Sequence, residues 1–261
     1  MRLSTDKIIA RREDGVGELI FNNPAKRNAL SLEMWTGIAE ALDAFDTDTN
    51  VRTIVLKGAG GTFISGADIS QFEERRSSAE KATDYNAITD KAWLALAEAG
   101  KPVIAAIEGY CIGGGLAVAM KADIRLAARN AVFGVPAARL GIAYPIDAIR
   151  DLVNLVGPSQ AKFILLTGQQ IDAEKAYRIG LIDELVETGV LDQTVASVTA
   201  ALKENAPLSM RASKETVDQL ARGKIDRDRL AKLAAQCIES ADFAEGRRAF
   251  MEKRRPRFVG R

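Results

Sequence analysis

Lys101-Pro102-Val103-Ile104-Ala105-Ala106-Ile107-Glu108-Gly109-Tyr110-Cys111-Ile112-Gly113-Gly114-Gly115-Leu116-Ala117-Val118-Ala119-Met120 is the stretch on which the reading of this chain turns. An apolar run from Val103 to Ile107 reads as a short buried strand. Three consecutive glycines follow, and then a helix of small residues from Leu116 to Met120. Three glycines cost a helix start conformational entropy. They offer one of two things in return. A ligand can come close to backbone N–H groups at the positive end of the helix dipole, or the turn can pack tightly between helix and strand. The spacing is neither G-x-G-x-x-G nor G-x-x-x-x-G-K-[ST], so both nucleotide-phosphate fingerprints are absent.

The same strand–loop–helix pattern occurs upstream. Val51 to Leu56 reads as a buried strand and ends in the loop signal Gly58-Ala59-Gly60-Gly61. Phe63-Ile64-Ser65-Gly66-Ala67-Asp68-Ile69 then leads toward a helical region reaching about residue 99. Its small residues leave the N–H of Ala67 accessible, or simply make a turn. Two N–H groups from separate loops, meeting on one oxygen, make an oxyanion hole. Ser65 lies in no G-x-S-x-G elbow and has no histidine to activate it, so it is a poor nucleophile.

Further out, Val16 to Phe21 reads as a strand broken by Asn22-Asn23-Pro24. A helix follows, with Met34, Ile38, Leu42 and Phe45 at helical spacing and Ser31 as its N-cap. Asp123–Ala127 and Ala131–Phe133 suit two short strands, and from Pro145 the pattern is helical almost to the end. Strands mixed with helices, then helices alone, predict an α/β core over residues 1–195 and a helical region over 196–261.

The composition excludes much. The chain has 261 residues, 47% apolar and 27% charged, enough to bury one large core. A net charge of +1 gives no broad electrostatic footprint for nucleic acid or an anionic membrane. The longest uncharged stretch, Gly109 to Met120, falls short of the ~20 apolar residues a spanning helix needs. Charges dot residues 1–15 where a secretory signal would be apolar, and Cys111 and Cys237 make no disulfide framework. A cytoplasmic protein is the expectation. There is no histidine at all, which removes every histidine-based triad and proton relay within one chain. With two cysteines besides, no metal site is expected. The chemistry falls to carboxylates, tyrosine, lysine or backbone dipoles.

Taken in order, the pieces resemble the crotonase (enoyl-CoA hydratase/isomerase) family over essentially the whole chain. They are Asn23-Pro24, Asn28-Ala29-Leu30, Ser65-Gly66-Ala67-Asp68-Ile69, Lys101 to Ala106, Gly113-Gly114-Gly115, Phe133-Gly134, Pro136 and Leu140-Gly141. The tail Glu245-Gly246, Ala249-Phe250 and Glu252-Lys253-Arg254 matches the family's C-terminal signature. The resemblance implies a crotonase-like spiral of ββα units and a helical C-terminal region that assembles trimers or dimers of trimers. It implies an acyl-CoA thioester as partner, with no cofactor beyond the coenzyme A of the substrate. By motif position, the N–H groups of Ala67 and Gly114 would hold the thioester oxygen. Ala67, Asp68, Ile69 and Ser70 would lie along the CoA, and Lys253 or Arg254 would reach its phosphates or remain solvated.

The resemblance also bears on the reaction. Hydratases of the family carry one glutamate two residues after the glycine triplet and another directly after the Phe-Gly-x-Pro segment. Here those positions are Ala117 and Ala137, and alanine transfers no proton. Decarboxylation of a malonyl-type thioester makes the enolate without a base and is the favoured expectation. Leu140-Gly141-Ile142-Ala143-Tyr144 and Arg255 to Gly260 are similar to the methylmalonyl-CoA decarboxylase branch, whose active-site tyrosine falls at Tyr144. That branch has histidine at the position of Ala67. Hydration or isomerisation through Asp147, the nearest carboxylate in sequence, is one alternative. A non-catalytic acyl-CoA-binding protein is another. RNA binding, seen in one relative, would need a lysine-rich stripe where this chain has Glu73-Glu74-Arg75-Arg76.

Overall fold

A computed structural model describes residues 1–68 and 79–261. The chain opens with a hairpin, β1 (Ile8–Glu13) and β2 (Val16–Phe21), paired antiparallel from Ile8 with Phe21 to Glu13 with Val16. Only β2 stands among the strands read above. The signal for β1 is Asp14-Gly15, whose positive φ values of 47° and 81° suit a two-residue hairpin turn. Helix α1 (Leu32–Thr47) starts where Ser31 accepts a hydrogen bond from the Met34 N–H at 3.4 Å. It buries Met34, Ile38, Leu42 and Phe45 as their spacing requires.

The chain then winds as a spiral. Strands β3 (Thr53–Gly58), β4 (Val103–Ile107) and β6 (Ile124–Ala128) run parallel beside β2, and β9 (Glu184–Val186) closes the sheet in the order β1-β2-β3-β4-β6-β9. After β4 and β6 the chain turns into a second, smaller sheet, β5 (Tyr110–Ile112) and β7 (Val132–Gly134), with β8 (Ile171–Asp172) beyond. Ile64 bridges to Cys111 in the same way after β3. Each turn thus gives one strand to each layer. Helix α2 (Ala79–Glu98) and the short α3 (Gly114–Ala119) complete successive turns. The main core fills the space between the two sheets and α1, with Phe21 and Phe63 in edge-to-face contact at 5.3 Å.

The rest is helical: α4 (Ile146–Thr167), α5 (Ala173–Arg178), α6 (Leu191–Lys203), α7 (Pro207–Arg222), α8 (Arg227–Glu239) and α9 (Ala241–Met251). Gly157 at φ 72° followed by Pro158 kinks α4 into two helical segments. Residue 195 falls inside α6, which covers the outer face of the first sheet through Leu191, Val195, Val198 and Leu202 against Val55, Ile104 and Leu126. Among the described residues no helix is long and apolar enough to cross a membrane.

Candidate active site

Two loops of successive spiral turns lie side by side in the second layer. Ile64 donates its N–H to Tyr110 O at 2.8 Å and accepts from Ile112 N at 3.0 Å, which sets the register between them. The first loop is anchored from upstream. Leu30 donates to Gly66 O at 2.8 Å and accepts from Asp68 N at 2.9 Å, a parallel bridge spanning Ala67. In such a bridge the spanned residue turns its own N–H to the opposite edge. The Ala67 N–H therefore faces away from Leu30 and has no hydrogen-bond partner among the described residues. Gly66 makes the turn at φ 126°, a conformation closed to side chains. Asn28, fully buried, donates to Ala59 O and Thr62 O at 2.9 and 2.6 Å and pins the approach to this loop.

The glycine triplet divides into three tasks. Gly113, at φ 54°, turns the chain and donates to Gly134 O at 2.8 Å. Gly114 is the first residue of α3, so its N–H has no intrahelical acceptor, and none elsewhere among the described residues. Gly115 is a packing residue: a Cβ there would fall 2.4 Å from Ile64 O. The packing reading holds at Gly115, while Gly114 keeps an N–H with no acceptor among the described residues. A Cβ built on Gly114 would stand 3.8 Å from Ala67 N. A Cβ lies about 2.5 Å from its own nitrogen, so the two free amides are at most about 6 Å apart. Two hydrogen bonds of about 2.9 Å to a single oxygen span nearly that distance.

Tyr144 packs against the main core behind the glycine turn. Its hydroxyl donates to Gly113 O at 2.8 Å, and the same oxygen accepts from Ala117 N at 3.0 Å. A phenol has one hydrogen to donate, so toward a ligand this hydroxyl presents only lone pairs. Burial pushes its pKa far above the usual tyrosine value, and nearby Cys111 and Asp151 add to the shift. It stays protonated at any working pH. Ala117 lies within α3 and Ala137 in the 3-10 turn Pro136–Leu140; both are buried, at 4% and 8% exposure. At these two positions the site offers methyl groups.

The other sequence candidates are placed as follows. Asp147 sits exposed in the first turn of α4, where Arg150 Nη1 donates to it at 2.7 Å. Asp68 pairs with Lys26 at 2.8 Å, and Glu108 accepts from Asn130 at 3.2 Å. Lys253 is exposed at φ 52° just beyond α9, whereas Arg254 is held by Glu245 and Glu252 at 2.7 and 2.6 Å. Cys111 is buried, and burial pushes its thiol well above the usual value. Ile69 and Ser70 lie outside the described residues. Among the described residues no three metal-ligating side chains of the His, Cys, Asp or Glu type stand together. The bond from Tyr144 to a peptide 31 residues away has no signal in local sequence.

This framework recurs in known proteins. Residues 11–261 match the family model described as enoyl-CoA hydratase/isomerase. The crotonyl-CoA hydratase of Syntrophomonas wolfei is 33% identical over 99% of this chain and 100% of its own length. The 2,3-dehydroadipyl-CoA hydratase of Escherichia coli is 31% identical over 98% and 99%. A crystal structure of an enoyl-CoA hydratase/isomerase family protein from Hyphomonas neptunium superposes with a TM-score of 0.92 at 36% identity, covering 98% of each chain. With residues 11–261 matched by the family model and nearly the whole chain by relatives and fold, the chain belongs to the enoyl-CoA hydratase/isomerase (crotonase) family.

Proposed function

We propose that the protein is an enzyme acting on an acyl-CoA thioester, with the carbonyl oxygen held between the N–H groups of Ala67 and Gly114. The observation that carries this is the pair of partnerless amides on adjacent loops, near enough to share one acceptor. Negative charge develops on a thioester oxygen when the neighbouring carbon becomes carbanion-like. Fixed N–H dipoles stabilise that enolate, and one such donor is worth ~2.7–4 kcal/mol in a comparable hole.

The reaction that asks least of the remaining side chains is decarboxylation of a malonyl-type thioester. The bond between the α-carbon and the carboxylate breaks, carbon dioxide leaves, and the electron pair passes into the enolate. A solvent proton then completes the product. No side-chain base is required, which suits Ala117 and Ala137. Tyr144 is unsuited to gripping the substrate carboxylate, because its one donor already engages Gly113 O. The names of the hydratases above favour the second reading, hydration of an enoyl-CoA. In this chain that reaction needs an acid from outside the two alanine positions, with Asp147 the candidate once freed from Arg150.

A panel of malonyl-, methylmalonyl-, ethylmalonyl- and crotonyl-CoA separates the readings. Carbon dioxide release from a malonyl-type ester establishes the first. Hydration of crotonyl-CoA that is lost in Asp147→Asn establishes the second. Binding of every ester with no turnover leaves an acyl-CoA-binding protein and overturns both.

A further inference from the structure

We propose that Tyr144 is a positioning residue of the oxyanion hole, acting through the peptide between Gly113 and Gly114 and making no contact with substrate. This rests on the assignment of the Gly114 N–H as one of the two donors. The tyrosine hydroxyl donates to Gly113 O at 2.8 Å, and that oxygen belongs to the same planar peptide unit as the Gly114 N–H. In a planar trans amide the C=O and N–H point in opposite directions. Fixing where the oxygen points therefore fixes where the hydrogen points.

The need for such a fixture is local. Gly113 has φ 54° and ψ −113°, and no Cβ limits its rotation. A peptide flanked by two glycines flips more easily than any other, and a flip would replace the donor with a carbonyl. Two hydrogen bonds oppose this, one from Ala117 N at 3.0 Å within α3 and one from Tyr144. The tyrosine bond comes from outside the helix and is itself anchored, because the ring packs against the main core.

The bond also acts electronically. A hydrogen bond accepted by a peptide oxygen draws density from the nitrogen and strengthens its N–H as a donor, by about 10–30% per bond. Applied to one oxyanion-hole donor, that fraction corresponds to a loss of about two- to eightfold in kcat when the hydroxyl is removed. KM changes less, because the charge appears only on the way to the enolate.

The test reads the carbonyl itself. The full-length protein is saturated with butyryl-CoA carrying 13C at the thioester carbonyl, an ester that can be neither hydrated nor decarboxylated. Isotope-edited infrared difference spectra report the carbonyl stretch. The wild-type protein shifts this band to lower frequency than in free butyryl-CoA, and Tyr144→Phe recovers part of that shift while its affinity stays within about threefold. Replacing Tyr144 with 3-fluorotyrosine, a stronger donor of nearly the same size, moves the band further down and carries the test if the phenylalanine variant does not fold. Equal bands in wild type and both variants overturn the role of Tyr144. No shift in the wild type overturns the oxyanion hole itself, so the two failures are told apart.

Discussion

Substituting Gly114 by alanine separates the site from the scaffold. The new Cβ would meet Leu30 Cδ1 at 3.6 Å, Ala67 N at 3.8 Å and Gly66 C at 4.0 Å, all ordinary van der Waals contacts. Gly114 is not among the positive-φ residues, so the backbone accepts a side chain. Replacing glycine by alanine in a helix typically stabilises by roughly 0.5–1 kcal/mol. In a chain of this length that moves Tm by no more than about 4 °C. The consequence for the ligand is different. On a helical backbone the methyl stands beside its own N–H, at about 3.5 Å from any oxygen that N–H holds. It also points at the opposite amide, into the space that a thioester carbon and its substituents must enter. The expected result is a folded protein, as stable as the parent or slightly more so, whose kcat/KM falls on the order of 10²-fold, the loss typical of one oxyanion donor. Thermal unfolding and turnover of the active ester from the panel are measured on the same preparation. A well-folded Gly114→Ala protein with turnover within threefold of the parent would refute the assignment.

The neighbouring Gly115→Ala should behave in the opposite way. Its Cβ would fall 2.4 Å from Ile64 O, a backbone atom with nowhere to move. Overpacking of this kind costs typically 1–3 kcal/mol, giving a drop in Tm of roughly 3–10 °C by thermal melt. The C-terminal tail predicts a dependence on pH. Side-chain hydrogen bonds from Arg254 and Arg248, with the Arg257 N–H, hold the Glu245 carboxyl well below the usual glutamate value. A depressed carboxylate pKa gives stability that is fully present above the unfolded value, about 4.3, and lost as pH falls through the folded one. Glu245→Gln should therefore lower Tm at pH 7 and converge with the parent in increasingly acidic buffer. Thiol titration should label Cys237 and leave Cys111 unreactive until the protein is unfolded, because Cys111 is buried and its thiol is held protonated.

The strands and helices most legible in the sequence are those whose signal is local. Val16–Phe21 and Val103–Ile107 have the boundaries their apolar patterns predict. The elements that go beyond the sequence reading are the hairpin strand β1 and the short strands β5, β8 and β9, with two or three residues each in the latter three. Segments so short hold their shape through register with neighbours distant in sequence, and no periodicity of their own records that. Small residues between strand and helix mark each loop, and the resemblance singles out the amides of Ala67 and Gly114 within them. What the sequence does not record is the Ile64–Cys111 and Leu30–Ala67 bridges that set the two loops side by side. Tyr144 shows the same division. Its place in the chain suggests a residue near substrate, while its hydroxyl is turned to the backbone of Gly113.

Both proposed donors belong to the main chain, and every amino acid except proline carries that group. Single-residue replacement can crowd or misalign them but rarely deletes them. The residues at positions 117 and 137, alanine in this chain, are ordinary side chains exchangeable one codon at a time. If the proposed oxyanion hole holds the substrate, it comes with the folding pattern, and the choice of reaction is left to a few exchangeable side chains.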